Sequence, residues 1–93
     1  MKVVINRSYG GFGLSDVALQ LLAYRRGVKV EDLDNYDIER NDADLVAVVE
    51  ELGLRAGDQS SKLSVVDIPD DVKFTIDDYD GMESIHEIHR IWS

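Results

Sequence analysis

The sequence predicts a small single α+β domain over residues 1–93, in the order β-α-α-β-β-β, with a mostly antiparallel sheet and both helices packed on one of its faces. Three observations predict it. A β-branched run opens the chain and leads into a glycine-rich turn. Two later segments carry apolar residues at helical spacing between recognisable caps, and the last third changes to the period-two alternation of strands. At 93 residues there is room for one core and not for a second. A chain this short buries only about two thirds of its unfolded surface, so self-association as a homodimer is a natural way to bury more. With 44% hydrophobic and 31% charged residues and one proline, the composition is that of a folding chain rather than a disordered or collagen-like one.

Lys2–Asn6 is the first strand, a short β-branched run followed by turn-forming residues. The loop from Arg7 to Ser15 holds Gly10, Gly11 and Gly13, and Ser15 with Asp16 supplies a cap and an acidic first turn to a helix. Val17, Ala18, Leu21 and Leu22 are its apolar stripe. Arg25 and Arg26 stand in the last turn before Gly27, so the helix is expected over Asp16–Arg26. Residues 28–41 read as an acidic connecting loop with Leu33, Tyr36 and Ile38 as core anchors. Asn41 is expected to cap the second helix. Its stripe is Leu45, Val48, Val49 and Leu52, at i, i+3, i+4 and i+7, and Gly53 stops it.

Leu63–Ile68 and Val72–Ile76 read as strands joined by Pro69-Asp70-Asp71, with Val72, Phe74 and Ile76 on one face and Lys73, Thr75 and Asp77 on the other. Asp80-Gly81 is a strong hairpin signal and predicts Met82–Ile91 as a returning strand, although Met82, Ile85, His89 and Trp92 also fit helical spacing. A two-residue turn sets Asp78 opposite Glu83. Such a like-charge pair is unfavourable unless a cation or a bulge relieves it.

The net charge of -9 opposes attraction to nucleic-acid backbones and anionic membrane. The charge is unevenly placed: residues 1–30 carry +4 and residues 31–93 carry -13. An anionic guest would therefore meet the N-terminal third, and the acidic remainder faces solvent, a cation or a basic partner. With no cysteine there is no disulfide, thiolate site or thiol nucleophile. No stretch approaches the ~20 apolar residues of a membrane span, and the apolar run after Lys2 is too short for a signal segment, so a cytoplasmic location is expected.

Strand, glycine loop and serine-capped helix in succession can gather backbone N–H groups around an anion. The loop matches neither the phosphate-loop pattern with its lysine nor the dinucleotide fingerprint. Glycines after a strand also serve simply for tight turns and close packing. The expected ligand-binding residues are Arg7, Tyr9, Gly10, Gly11, Phe12, Gly13 and Ser15, with His86, His89 and Arg90 closing from the C-terminal tail. Tyr9 and Phe12 would stack on a ring or enter the core. A calcium loop over residues 76–87 would need an oxygen donor where Ile76 stands. His86-Glu87-Ile88-His89 is one residue short of the zinc-binding helix pattern. No metal, cofactor or catalytic residue is assigned, and no serine or threonine has an identifiable base beside it.

Two stretches resemble a family of small, functionally uncharacterised bacteriophage and prophage proteins. One is Lys2-Val3-Val4-Ile5-Asn6-Arg7 through Gly10-Gly11-Phe12-Gly13-Leu14-Ser15. The other is Ile68-Pro69-Asp70-Asp71-Val72 with Tyr79-Asp80-Gly81, Glu83, His86-Glu87, His89-Arg90 and Trp92. Members often carry a cysteine where Ser8 stands, so the resemblance speaks against an essential thiol. It implies a phage-encoded accessory protein acting in the host cytoplasm. Two functions are then in competition: a non-enzymatic module binding an anionic, nucleotide-like small molecule at the glycine loop, and an acidic module binding a basic host or phage protein. A small hydrolase or cyclase using a histidine base stands third.

Overall fold

The computed structural model describes residues 1–33 and 38–88. The expected order β-α-α-β-β-β is present: β1 (Lys2–Asn6), α1 (Asp16–Arg26), α2 (Ala43–Leu52), β2 (Leu63–Asp67), β3 (Phe74–Tyr79) and β4 (Met82–Glu87). Short 3-10 turns over Val30–Asp32 and Gly53–Ala56 follow the two helices. The sheet is divided in two. β1 pairs with β2 and β3 pairs with β4, both antiparallel, and the ribbons are not hydrogen-bonded to each other as strands.

The division follows from β1, whose side chains are apolar on both faces. Val4 turns to one side and joins Leu22, Leu45 and Val48 of the helices, with Leu63 of β2. Val3 and Ile5 turn to the other and meet Phe74, Ile76 and Ile85 of the hairpin. The molecule is therefore three layers deep: helices, the β1–β2 ribbon, and the β3–β4 hairpin. Both helices lie on one face of the ribbon, as expected, and the hairpin covers the opposite face. Val3, Val4 and Ile5 are at most 2% exposed, and each contributes about 1.5–3 kcal/mol by leaving water.

α1 begins and ends where the sequence places it. The Ser15 hydroxyl accepts from the Ala18 amide at 3.1 Å, and Gly27 closes the helix at φ 68. Its buried side differs from the expected stripe: Ala18, Leu22 and Ala23 are buried, whereas Val17 is 51% exposed. Residues 17 and 18 lie about 100° apart around a helix, so a single inward arc cannot centre on both. α2 is capped by Asp42 and not by Asn41. The Asp42 carboxylate accepts from the Asp44 and Leu45 amides, both at 3.0 Å, and pairs with Arg26 at 2.8 Å. Burial raises the cost of ionising Asp42, but the Leu45 amide and the Arg26 guanidinium outweigh it and hold its pKa below the ordinary value.

The third strand starts at Phe74 rather than Val72 and runs on to Tyr79. Asp80 and Gly81 both have positive φ, 50 and 90, as the tight two-residue hairpin turn requires. Met82 begins a strand, which settles the helix-or-strand ambiguity for residues 82–87. β4 ends at Glu87, with Ile88 already outside the strand; the expected core anchor Tyr36 lies outside the described residues, as do His89, Arg90, Ile91 and Trp92. No helix among the described residues is long and apolar enough to cross a membrane.

Candidate functional site

The hairpin register sets Asp78 opposite Glu83, as the turn signal implies, and a cation relieves the pair. That cation is Arg40, 43 residues away in sequence. Its guanidinium meets both Glu83 carboxylate oxygens, Nη1 to Oε1 at 2.5 Å and Nη2 to Oε2 at 2.9 Å. Glu83 also accepts from the Asn6 amide at 2.8 Å, while the Arg40 carbonyl accepts from the Val4 amide at 2.8 Å. The outer edge of β1 is thus occupied by one loop carbonyl and one carboxylate instead of a third strand. The Phe12 ring covers the guanidinium face, with 3.6 Å from the ring centroid to the Arg40 Cζ. Phe12 is half-buried, packed against the helix-side core and over the Arg40 charge.

Asn6, fully buried, anchors the start of the glycine loop. Its Nδ2 donates to the Ser8 and Gly81 carbonyls, and its Oδ1 accepts from the Ser8 and Lys62 amides. The loop then packs against its own chain. The Gly10 amide donates to the Asp80 carbonyl at 3.0 Å, and a Cβ on Gly81 would collide with the backbone of Gly10 and Gly11. A Cβ on Gly10 would meet Ser60, and one on Gly13 would collide with the Asp58 carboxylate. The glycines are thereby accounted for by close approach of the hairpin tip and of the segment before β2. Gly11, with nothing near its Cβ position, needs glycine only for its φ of 96.

Two hollows flank the loop. One, of about 390 Å³, lies at the start of α1 between Ser15, Asp16, Gly57, Asp58 and Gln59. It holds two carboxylates and no cation, while the Ser15 hydroxyl is already engaged by the Arg55 carbonyl at 2.6 Å and the Ala18 amide. The other, of about 330 Å³, has Phe12, Leu14 and Ile38 on its apolar side and Asp58, Asp78 and the Arg40–Glu83 pair on its polar side. Arg7 and Tyr9 are exposed. His86 pairs with Thr75, five residues past Gly81 and so about 16 Å along the strand at ~3.3 Å per residue. Among the described residues, then, the structure brings Tyr79-Asp80-Gly81 to the glycine loop and leaves His86 away from it.

On the outer face of the hairpin, Ser84 Oγ is 3.0 Å from His86 Nε2 and Asp77 Oδ2 is 3.3 Å from the same nitrogen. A nucleophile–base–orienter relay needs the serine and the carboxylate on different ring nitrogens. These three side chains are exposed and share one nitrogen, so they do not form one. Among the described residues no group of three histidine or acidic side chains is placed to hold a metal ion.

Arg40, Glu83, Asn6 and Asp58 were not singled out as site residues by the sequence. The signal available for Glu83 and its cation was the unfavourable Asp78–Glu83 register. Comparison with known protein families, with curated proteins and with solved structures gave no match.

Proposed function

We propose that the protein is an acidic interaction module that engages a basic protein through the tip of the β3–β4 hairpin and the cleft beside the glycine loop. One observation carries this reading. Asp58 and Asp78 open onto the cleft, Asp80 stands next to it at the turn, and the cation lining the cleft, Arg40, is bound by Glu83. None of these three aspartates has a basic partner among the described residues. Carboxylates outnumber the one cation lining the cleft, which favours a lysine- or arginine-bearing guest there and works against the anionic one that the strand-glycine-helix order suggests. The motif resemblance extends the proposal to a phage accessory protein whose basic partner is a host or phage protein.

Octalysine serves as the probe, followed by fluorescence anisotropy. Binding is expected to weaken several-fold as NaCl rises from about 50 to about 300 mM. The variant Asp78→Asn/Asp80→Asn should lose at least threefold in affinity, while Glu31→Gln/Asp32→Asn, which removes the same charge from another exposed segment, should change little. Equal losses in the two variants mean diffuse net charge and end the proposal. A rise in melting temperature with inorganic phosphate or ATP, without octalysine binding, restores the anion reading in its place.

A further inference from the structure

The cleft beside the glycine loop has a shape as well as a charge. Its volume of about 330 Å³ lies at the small end of ligand-sized pockets and gives room for one long side chain. Phe12, Leu14 and Ile38 make an apolar wall, and Asp58 and Asp78 stand on the polar side. Each carboxylate is held through Oδ1. Asp58 Oδ1 accepts from the Ser60 amide at 2.8 Å and from the Ser61 hydroxyl at 3.0 Å, and Asp78 Oδ1 accepts from the Gly81 amide at 2.7 Å. Among the described residues neither Oδ2 has a hydrogen-bond or ion-pair partner. Asp58 Oδ2 lies against Gly13, on the cleft wall, where it fills the place a Cβ would take. The fold thus orients two carboxylates and leaves one acceptor oxygen open on each.

We infer that the cleft takes a single lysine side chain of the partner, with its alkyl stem along the apolar wall and its ammonium shared between the Oδ2 atoms of Asp58 and Asp78. This inference rests on the interaction-module reading and names the group which that site recognises. The chemistry selects lysine over arginine on two counts. A guanidinium binds carboxylate best as a bidentate fork on both oxygens of one group, and here Oδ1 of each is already engaged. A guanidinium also gains by lying on an aromatic face, and Arg40 already covers that of Phe12. An ammonium is a compact charge with three donors, able to take single oxygens from separate groups. Its stem packs on apolar surface while the head meets charge. Arg40 does not repel it strongly, because both Glu83 oxygens neutralise the guanidinium.

Nuclear magnetic resonance titration of the isotope-labelled full chain at low salt tests this with end-capped glycine pentapeptides whose central residue is lysine, arginine or Nε-acetyllysine. The lysine peptide should bind with a dissociation constant on the order of 1 mM, about threefold or more tighter than the arginine peptide of equal charge. Its amide shifts should centre on Gly13, Asp58 and Asp78, and the acetylated peptide should not bind. Asp58→Asn and Asp78→Asn each keep the Oδ1 acceptor, so the loop and turn are retained, and each should remove the preference for lysine. Equal affinity for lysine and arginine, shifts centred elsewhere, or a lysine preference that survives both variants overturns the inference. If octalysine still binds in the manner described above, the interaction module stands without its lysine socket; if octalysine does not bind, both fall.

Discussion

Replacing Glu83 with alanine should cost about 3 kcal/mol of folding stability. The carboxylate is 6% exposed and neutralises Arg40, whose side chain is 24% exposed. Breaking a buried pair by removing one partner typically costs about 3–5 kcal/mol. Partial exposure lets the guanidinium turn to water and lowers that figure, while the Asn6 amide, left without its acceptor, adds about 1–3 kcal/mol. A chain of this length has about 5–14 kcal/mol in total, at ~0.05–0.15 kcal/mol per residue, so the loss is a large share. Glu83→Gln keeps an acceptor for Asn6 but forfeits the charge and one of the two acceptors of the guanidinium, so about 2 kcal/mol is expected. Arg40→Met leaves a buried carboxylate with one amide donor and should be at least as damaging as Glu83→Ala. Urea denaturation followed by circular dichroism gives the three values. Amide exchange should show β4 opening before α1 in each variant. A cost below 1 kcal/mol for Glu83→Ala, or Arg40→Met milder than Glu83→Gln, would refute the view that this pair holds the hairpin to the ribbon.

Gly81→Ala should destabilise by more than about 2 kcal/mol because its new methyl meets the Gly10–Gly11 backbone as well as a left-handed φ, whereas Gly11→Ala should cost only the ~1–2 kcal/mol of the backbone conformation; chemical denaturation separates them. Asp42→Ala should cost about 1 kcal/mol and Asn41→Ala little, since the cap is Asp42. The depressed Asp42 pKa makes its contribution complete above the unfolded value and progressively lost as pH falls through the folded value; Asp42→Asn should therefore flatten the acid limb of a stability–pH curve. Asp78→Asn removes the like charge facing Glu83 while keeping an acceptor for the Gly81 amide, so melting at low salt should show a gain of about 0–0.5 kcal/mol that fades as salt is added.

How much of this was legible depended on whether a signal was local. Ser15, Gly27 and the Asp80-Gly81 turn each specify a backbone geometry within four residues, and α1 and the hairpin stand where those residues place them. The Asp78–Glu83 conflict announced that a cation or a bulge was needed. It could not say which, because Arg40 sits in an irregular stretch with no periodicity and reaches Glu83 only through the fold. Asn41 and Asp42 are both good caps one position apart, and it is the Asp42 carboxylate that reaches the Asp44 and Leu45 amides together with Arg26. The glycine loop was legible as a close approach of backbone but not as an approach to what. Glycine records that something comes near, and here it is the chain's own hairpin and Asp58. Nor does β1 state that its two apolar faces meet two different layers.

The seal on the rim of β1 is made by side-chain and loop groups rather than by a neighbouring strand, and it is only as durable as the hairpin's attachment. Were the hairpin to swing away, the Asn6 amide would lose its acceptor and Val3 and Ile5 would be bared together on one of the most apolar stretches of the chain. Such a rim recruits other chains edge to edge. Aggregation on storage or heating should thus begin with loosening of the hairpin, well before either helix melts, and whatever clamps Glu83 to Arg40 also keeps the protein in solution.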